Sequence, residues 1–304
     1  MSAPKAKKRI ALLLDGDFLV FSAMSAAEEE VDWGEDIWSL QCDHKKARAI
    51  LRASIRGIKE RLKEFNDAEL VMIFSGDNNW RKGVLETYKA NRKGKRKPVG
   101  YPEFVRECLE DTETYMRTFK WDGLEGDDVI GILATNPEFL GVDEAIPVSC
   151  DKDFKTIPGR FYHLTTNKVL NHTEEEANRW HLYQTIKGDV TDGYGGIPGC
   201  GEKVGTVDIM EWLQAPTFFY QATKVMKSGP RKGEEVPYWT SVPGDEAECM
   251  FERPLSYWDC IVSLAAKQGM GEEDLLKQAQ VARILRSSDF DWETRKPIPW
   301  TPGC

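Results

Sequence analysis

Leu124–Leu133 reads LEGDDVIGIL. Glu125, Asp127 and Asp128 crowd the start of an apolar run whose Val129, Ile130, Leu133 and Ala134 recur at helical spacing, which predicts a helix over Asp127–Thr135 with one inward face. Outward from this stretch the chain repeats a second pattern, in which a short apolar run is closed by an acid. Asp15 ends Ile10–Leu14, Asp77 follows Leu70–Phe74, and Asp151 and Asp153 follow Ala145–Ser149 in SCDKDF. Arg160–Leu164 reads as a further strand, and Ala47–Leu62 and Tyr101–Phe119 as helices. Strands alternating with helices predict an α/β core around a largely parallel sheet. Ligands of such sheets sit beyond the carboxyl ends of the strands, where these aspartates fall.

Any single acid here is accounted for as a helix cap or a solvated side chain, because the helix dipole favours acids near an N-terminus. The joint pattern is not. Carboxylates gathered in one place raise one another's pKa unless cations hold them, and an all-oxygen donor set suits hard divalent ions. Phosphoryl chemistry at a pair of ions about 4 Å apart follows as the leading expectation. Asp189 and Asp192, in GDVTDG, add two more acids.

The net charge of −9 conceals a strong polarity. Asn79–Pro98, NWRKGVLETYKANRKGKRKP, holds eight cations against Glu86; it carries +7 and leaves −16 for the rest of the chain. A basic element that meets phosphates and an acidic body that holds metals fit this division. Trp80 and Tyr88 lie among the cations, where a ring can stack on a base. Further on, Gly193–Gly205 (GYGGIPGCGEKVG) is flanked by helical stretches at His181–Lys187 and Thr206–Leu213. Its glycines let backbone amides approach phosphate oxygens, although a tight turn alone explains a glycine run. A Walker-type loop does not match, since no Gly-Lys-Ser/Thr follows a strand. Ser228–Glu235 reads as an exposed loop and Pro243–Pro254 as irregular, before helices at Tyr257–Lys267 and Glu272–Leu285.

Other classes find little support. The seven cysteines are scattered and odd in number, as in a reduced protein. The four histidines lack zinc or nucleophile-relay spacing. No apolar run approaches a membrane span. The basic N-terminus reads as a frayed tail running into a strand rather than a signal peptide.

Taken together, LLLDGD, the YKANR box, LEGDDVIG, SCDKDF and GDVTDGYGGIPGCGEKVG resemble the flap endonuclease and 5′-exonuclease superfamily, most closely its members from short-tailed lytic bacteriophages. The resemblance implies a Rossmann-like (resolvase/PIN-like) α/β nuclease core over residues 1–180, with a basic helical arch at about 79–120. It implies a helical region over 181–304 with a helix–three-turn–helix DNA-binding element and a glycine-rich hairpin at 193–205. By motif, one metal takes Asp15, Asp77, Glu125 and Asp127, with Asp128 in support, and a second takes Asp151, Asp153, Asp189 and Asp192. Lys89 and Arg92 match arch cations that contact the scissile phosphate, and Tyr88 an aromatic that stacks on a base. Arg81, Lys82 and Lys93 join them as DNA-binding candidates. Gly199, Gly201 and Lys203 match the hairpin that grips duplex phosphates and, in relatives, binds K+. Two positions depart from the pattern: Ser75 stands where the second acid often lies, and Asp17 where several relatives carry an uncharged residue.

The activity implied is a 5′→3′ exonuclease using two Mg2+, with Mn2+ able to substitute. It would act on duplex DNA ends and on RNA of RNA–DNA hybrids, in the cytoplasm of a phage host. A structure-selective flap endonuclease is the nearest alternative, and a noncatalytic DNA-end binding factor the alternative from another class.

Overall fold

Ala11–Leu14 is wholly buried, and a strand so covered needs partners on both edges and layers on both faces. The computed structural model supplies both. It describes residues 8–111, 116–251 and 253–303, so the N-terminal tail lies outside the described residues. The chain divides into two compact units. The first comprises the chain to Trp80, Arg92–Ala177 and Ile284–Ile298; the second comprises Arg81–Asn91, Asn178–Arg283 and the chain from Pro299. Compared with a division near residue 180, the second unit takes Arg81–Asn91 and the first takes a C-terminal strap, Ile284–Ile298.

In chain order the first part runs β1 (Ile10–Asp15), α1 (Gly16–Ala27), β2 (Glu28–Asp32), β3 (Trp38–Cys42), α2 (His44–Arg61), β4 (Glu69–Ser75), α3 (Arg81–Val84), α4 (Tyr101–Glu110), β5 (Arg117–Trp121), α5 (Gly126–Ala134), β6 (Glu144–Ser149), β7 (Gly159–His163) and β8 (Lys168–His172). The six-stranded sheet has the order β5-β4-β1-β6-β7-β8. β1 runs parallel to β4 and β6, with Leu13 opposite Val71 and Pro147; only the β7–β8 pairing is antiparallel. Alternate β1 side chains serve opposite layers. Leu12 and Leu14 pack with α1, α2 and α4 residues such as Val20, Ala47 and Phe104. Ala11 and Leu13 pack with Val129, Ile130 and Leu133 of α5 and with Ile284 and Leu285 of the strap. Because strand order reverses around β1, its carboxyl end opens onto the crevice where open α/β sheets bind ligands.

Two expectations fail in the basic region. The helix from Tyr101 stops at Glu110, and Arg117–Trp121 is instead an edge strand paired with β4. Its alternating Thr, Phe and Trp suit a pleated surface; residues 112–115 lie outside the described residues. Among the described residues the arch segment holds no long helix before Tyr101, only α3 and a 3-10 turn at Ala90–Arg92.

From Asn178 the second unit continues α6 (Glu174–Lys187), then the glycine-rich turns, the short pair β9 (Lys203–Val204) and β10 (Val207–Asp208), and α7 (Ile209–Trp212). A ribbon of β11 (Thr217–Val225) and β12 (Glu235–Pro243) follows, then α8 (Gly244–Phe251), α9 (Tyr257–Lys267) and α10 (Glu272–Ala282). The ribbon was not legible in the sequence, and α8 occupies the stretch read as irregular. Ile186, Ile197, Trp212, Phe219, Ile261 and Leu264 form this unit's core.

Candidate active site

β1 ends at Asp15, which caps α1 by accepting the Phe18 N–H at 3.0 Å and accepts the Ser149 hydroxyl at 2.8 Å. Ser149 ends β6, is fully buried, and accepts the Asp151 N–H at 3.1 Å. One hydroxyl therefore ties the two acid-bearing strand ends together. Asp151 in turn accepts the Asp153 N–H at 2.8 Å, which turns the SCDKDF loop tightly. Burial first, and then the negative charge of Asp17 and Asp151, push the Asp15 carboxyl up to about 6 despite its hydrogen bonds. The neighbouring Cys150 thiol is pushed up to about 11 by burial and by the charges of Asp15, Asp151 and Asp127. Carboxylates of β1, α5 and the β6 loop thus all act on this one thiol.

On the other side of β1, Asp17 accepts the Ser75 N–H at 2.7 Å and the Tyr101 hydroxyl at 3.2 Å. Ser75 uses its own hydroxyl to accept the Gly126 N–H at 2.9 Å. A Cβ at Gly16 would stand 2.6 Å from the Ile73 carbonyl, so only glycine permits this close passage of α1 over β4. Burial and Asp17 raise the Tyr101 pKa, so its phenol stays protonated as a donor. Asp77 behaves differently: its side chain is 79% exposed and pairs with Lys120 at 3.0 Å. It is Asp17, rather than Asp77, that meets the end of β4.

Glu125 and Asp127 are half-buried at the start of α5. Asp128 is fully buried and accepts the Glu125 N–H at 3.3 Å, the Trp80 indole N–H at 3.1 Å and the Leu285 N–H at 3.2 Å. Its oxygens anchor the α5 start to the strap. Among the described residues no group of three or more His, Cys, Asp or Glu side chains already forms a metal-holding arrangement. The donor set nonetheless fits a hard divalent cation, because half-buried carboxylates with like charges beside them gain most from one.

Within the second unit the YKANR segment docks on the GDVTDG turn. The Lys89 N–H donates to the Asp192 carbonyl at 2.7 Å, and its ammonium lies 3.7 Å from the Asp192 carboxylate. Asn91 donates to the Val190 carbonyl at 2.9 Å, and Asp189 accepts the Thr191 N–H at 2.8 Å. A Cβ at Gly193 would sit 2.2 Å from the Thr87 carbonyl, so this contact requires the glycine.

The DNA-binding candidates separate into two groups. Lys82, Arg92, Lys93 and Lys203 are exposed, and Gly199 and Gly201 adopt positive φ in the glycine-rich turns. Arg81 and Tyr88 are turned inward, at 2% and 3% exposure. The Arg81 guanidinium donates to the carbonyls of Val281 at 2.9 Å and Arg283 at 2.6 Å, satisfying the end of α10, whose last carbonyls have no helical partners. Tyr88 is covered by Arg81 and Lys89, 5.6 and 5.1 Å from its ring. Neither side chain is open to solvent. Sequence reading noted Ser75 only as a departure from the family pattern and missed Ser149, whose only signal is a serine closing an acid-tipped strand.

A family model for the 5′-3′ exonuclease N-terminal resolvase-like domain matches residues 10–181. The chain belongs to the 5′–3′ exonuclease family. This exonuclease is 46% identical to the exonuclease of Escherichia phage T7 and 45% identical to the exodeoxyribonuclease of Enterobacteria phage T3. Each alignment covers 96% of the chain, and 93% and 92% of the two relatives. Its fold resembles that of the bacteriophage T5 5′-exonuclease with bound zinc at a TM-score of 0.53 and 17% identity, over 90% of this chain and 89% of that one. It is therefore an enzyme with 5′→3′ exonuclease activity, and among the described residues no helix is long and apolar enough to cross a membrane.

Proposed function

We propose that this exonuclease removes nucleotides from the 5′ ends of duplex DNA, and from RNA in RNA–DNA hybrids, with two magnesium ions that manganese can replace. The observation that supports the metal dependence is Asp15: a half-buried carboxylate linked through Ser149 to the Asp151 turn, with Asp17 and Asp151 adding negative charge. When bound, magnesium supplies an ionised water and neutralises charge on the scissile phosphate. Asp15, Glu125 and Asp127 are the ligand candidates for one ion, and Asp77 joins them on leaving Lys120. Asp151 and Asp153 are the candidates for the other; Asp189 and Asp192 are proposed from the family motif alone. Ser149 and Ser75 hold the strand ends in register, and Asp128 fixes the α5 start. Lys89 and Arg92 hold the phosphate and offset the charge that develops on it, which requires Lys89 to exchange Asp192 for the substrate. Gly199, Gly201 and Lys203 would grip the duplex backbone, and the residues of these turns would be the ones to hold a potassium ion, which would add positive charge beside the phosphates. Contacts to phosphates predict little sequence preference.

The test is digestion of 5′-labelled duplex, flap and hybrid substrates with and without magnesium, beside Asp151→Ala. Magnesium-dependent release of mononucleotides from duplex ends, lost in the variant, is the expected result. Unchanged cleavage by Asp151→Ala would overturn the metal assignment. Short oligonucleotides cut from flaps, with inert blunt ends, would replace the exonuclease reading by a flap endonuclease. Binding without cleavage would leave only a DNA-end binding factor.

A further inference from the structure

Nothing in the catalytic reading uses the β11–β12 ribbon. Its nine residue pairs run from Thr217 opposite Pro243 to Val225 opposite Glu235. The Phe219 end is built into the unit's core, whereas the far end carries Lys224, Lys227, Arg231 and Lys232, all exposed. Arg231 pairs with Glu234 at 2.7 Å. Residues 217–243 carry +2 in a chain of net charge −9.

Two rings stand on the same ribbon. Tyr238 and Trp239 are 39% and 36% exposed, and as neighbours on one strand they point to opposite faces. The Lys224 ammonium lies 5.2 Å from the Tyr238 ring centroid. Trp239 borders a groove of about 620 Å³ that Phe218 and Phe219 also line, and the Lys267 ammonium of α9 lies 4.3 Å from the Phe219 ring. A purely structural ribbon would bury its aromatic side chains, as Phe219 does. Exposed rings interleaved with cations suit a polymer that offers flat bases together with phosphates. A duplex hides its base faces in the stack, so the match is to an unpaired strand.

We infer that the β11–β12 ribbon is a single-stranded DNA binding element, and that its occupant is the complementary strand left unpaired as the 5′ strand is removed. The source of that strand rests on the exonuclease reading; the binding itself does not. Bases stack on Trp239, while Lys227, Arg231 and Lys232 at the ribbon tip track the backbone; Tyr238 with Lys224 lies on the other face. Holding this strand keeps the enzyme on its substrate between cleavages.

The test uses the full chain and a fluorescein-labelled oligothymidylate of about 16 nucleotides, with fluorescence anisotropy read in EDTA so that hydrolysis plays no part. Trp239→Ala should weaken binding about tenfold, within the range for loss of one stacked base, and Trp239→Phe should restore most of it. A triple variant, Lys227→Glu with Arg231→Glu and Lys232→Glu, changes only exposed side chains, so it remains informative should Trp239→Ala fold poorly. It should lower the slope of log affinity against log salt by about 2, from roughly 0.7 per phosphate contact on a single strand. Blunt-duplex affinity and the rate of first-nucleotide release should be unchanged, while fewer nucleotides are removed per encounter in the presence of trap DNA. Wild-type protein that does not bind the oligothymidylate, a triple variant that binds it normally, or an equal loss on duplex would each overturn the inference. Should the exonuclease reading itself fail, magnesium-dependent hydrolysis would be absent from the wild type while the binding in EDTA still reports on the ribbon.

Discussion

Asp15 and Asp259 both stand at helix starts and both accept backbone N–H groups, yet their charges meet opposite fates. Asp259 lies in the first turn of α9, in a capping box with Ser256, and accepts Arg253 at 2.7 Å. Burial opposes its ionisation, but the Arg253 and Ser256 hydrogen bonds and the Arg253 charge outweigh it and bring the carboxyl down to about 2. At Asp15 burial dominates, the neighbours are acids, and the carboxyl is pushed up to about 6. A helix N-terminus favours an acid in either case. What distinguishes a structural acid from one suited to a metal is the sign of the charge beside it. The same rule separates single carboxylates: Asp192 already has Lys89 at 3.7 Å, whereas Asp15 and Asp151 are joined by an uncharged hydroxyl.

The sharpest way to break this comparison is Asp15→Asn. Hydrolysis should fall roughly 10³-fold or more, as expected when charge stabilisation at the reacting phosphate is lost. Stability in EDTA at neutral pH should rise by about 1 kcal/mol, because the folded chain no longer holds an ionised carboxylate in a site that disfavours it. A urea melt that shows destabilisation would mean that the cap to Phe18 outweighs the repulsion. Next is Lys89→Met, which leaves Asp192 without this cation and removes a phosphate contact. We expect kcat to drop roughly 10²-fold, with duplex Kd changed only a few-fold; the reverse pattern would make Lys89 a binding rather than a catalytic group. Ser149→Ala should act through its two acids and raise the magnesium concentration for half-maximal rate by about 10- to 100-fold, the usual cost of losing a residue that orients metal ligands. Near-normal kcat at saturating magnesium would separate this from general disruption.

Much of the first unit was legible because long-range order and local pattern agree there. Ile10–Leu14, Leu70–Phe74 and Ala145–Ser149 are apolar runs in a sheet buried on both faces, and their carboxyl ends had to carry the site. The failures fall where tertiary contacts decide. Tyr101–Phe119 keeps a helical rhythm past Glu110, but the open edge of β4 takes Arg117–Trp121 as a strand. Arg81 reads as a phosphate cation until the end of α10 supplies carbonyls for it. Asp77 follows its strand in sequence, yet Asp17, in the first turn of α1, reaches the Ser75 amide. Spacing along a strand says which end an acid occupies but not which neighbouring element leans over it.

The smallest effect tests the other half of the comparison. With its carboxyl held near 2 in the folded chain against an ordinary value of 3.8, Asp259 contributes stability that is fully present above the ordinary value. That contribution is lost as pH falls from there through about 2. Because Arg253 is half exposed to screening solvent, its size is about 1 kcal/mol rather than what the full shift would imply. Asp259→Asn should therefore lower the urea midpoint at pH 7 and leave magnesium-dependent hydrolysis unchanged, and the two proteins should converge in stability near pH 2. Asp15→Asn should show the opposite pairing, with activity lost and stability gained. If both substitutions destabilise equally and both spare hydrolysis, the two aspartates are caps of the same kind and the site lies elsewhere.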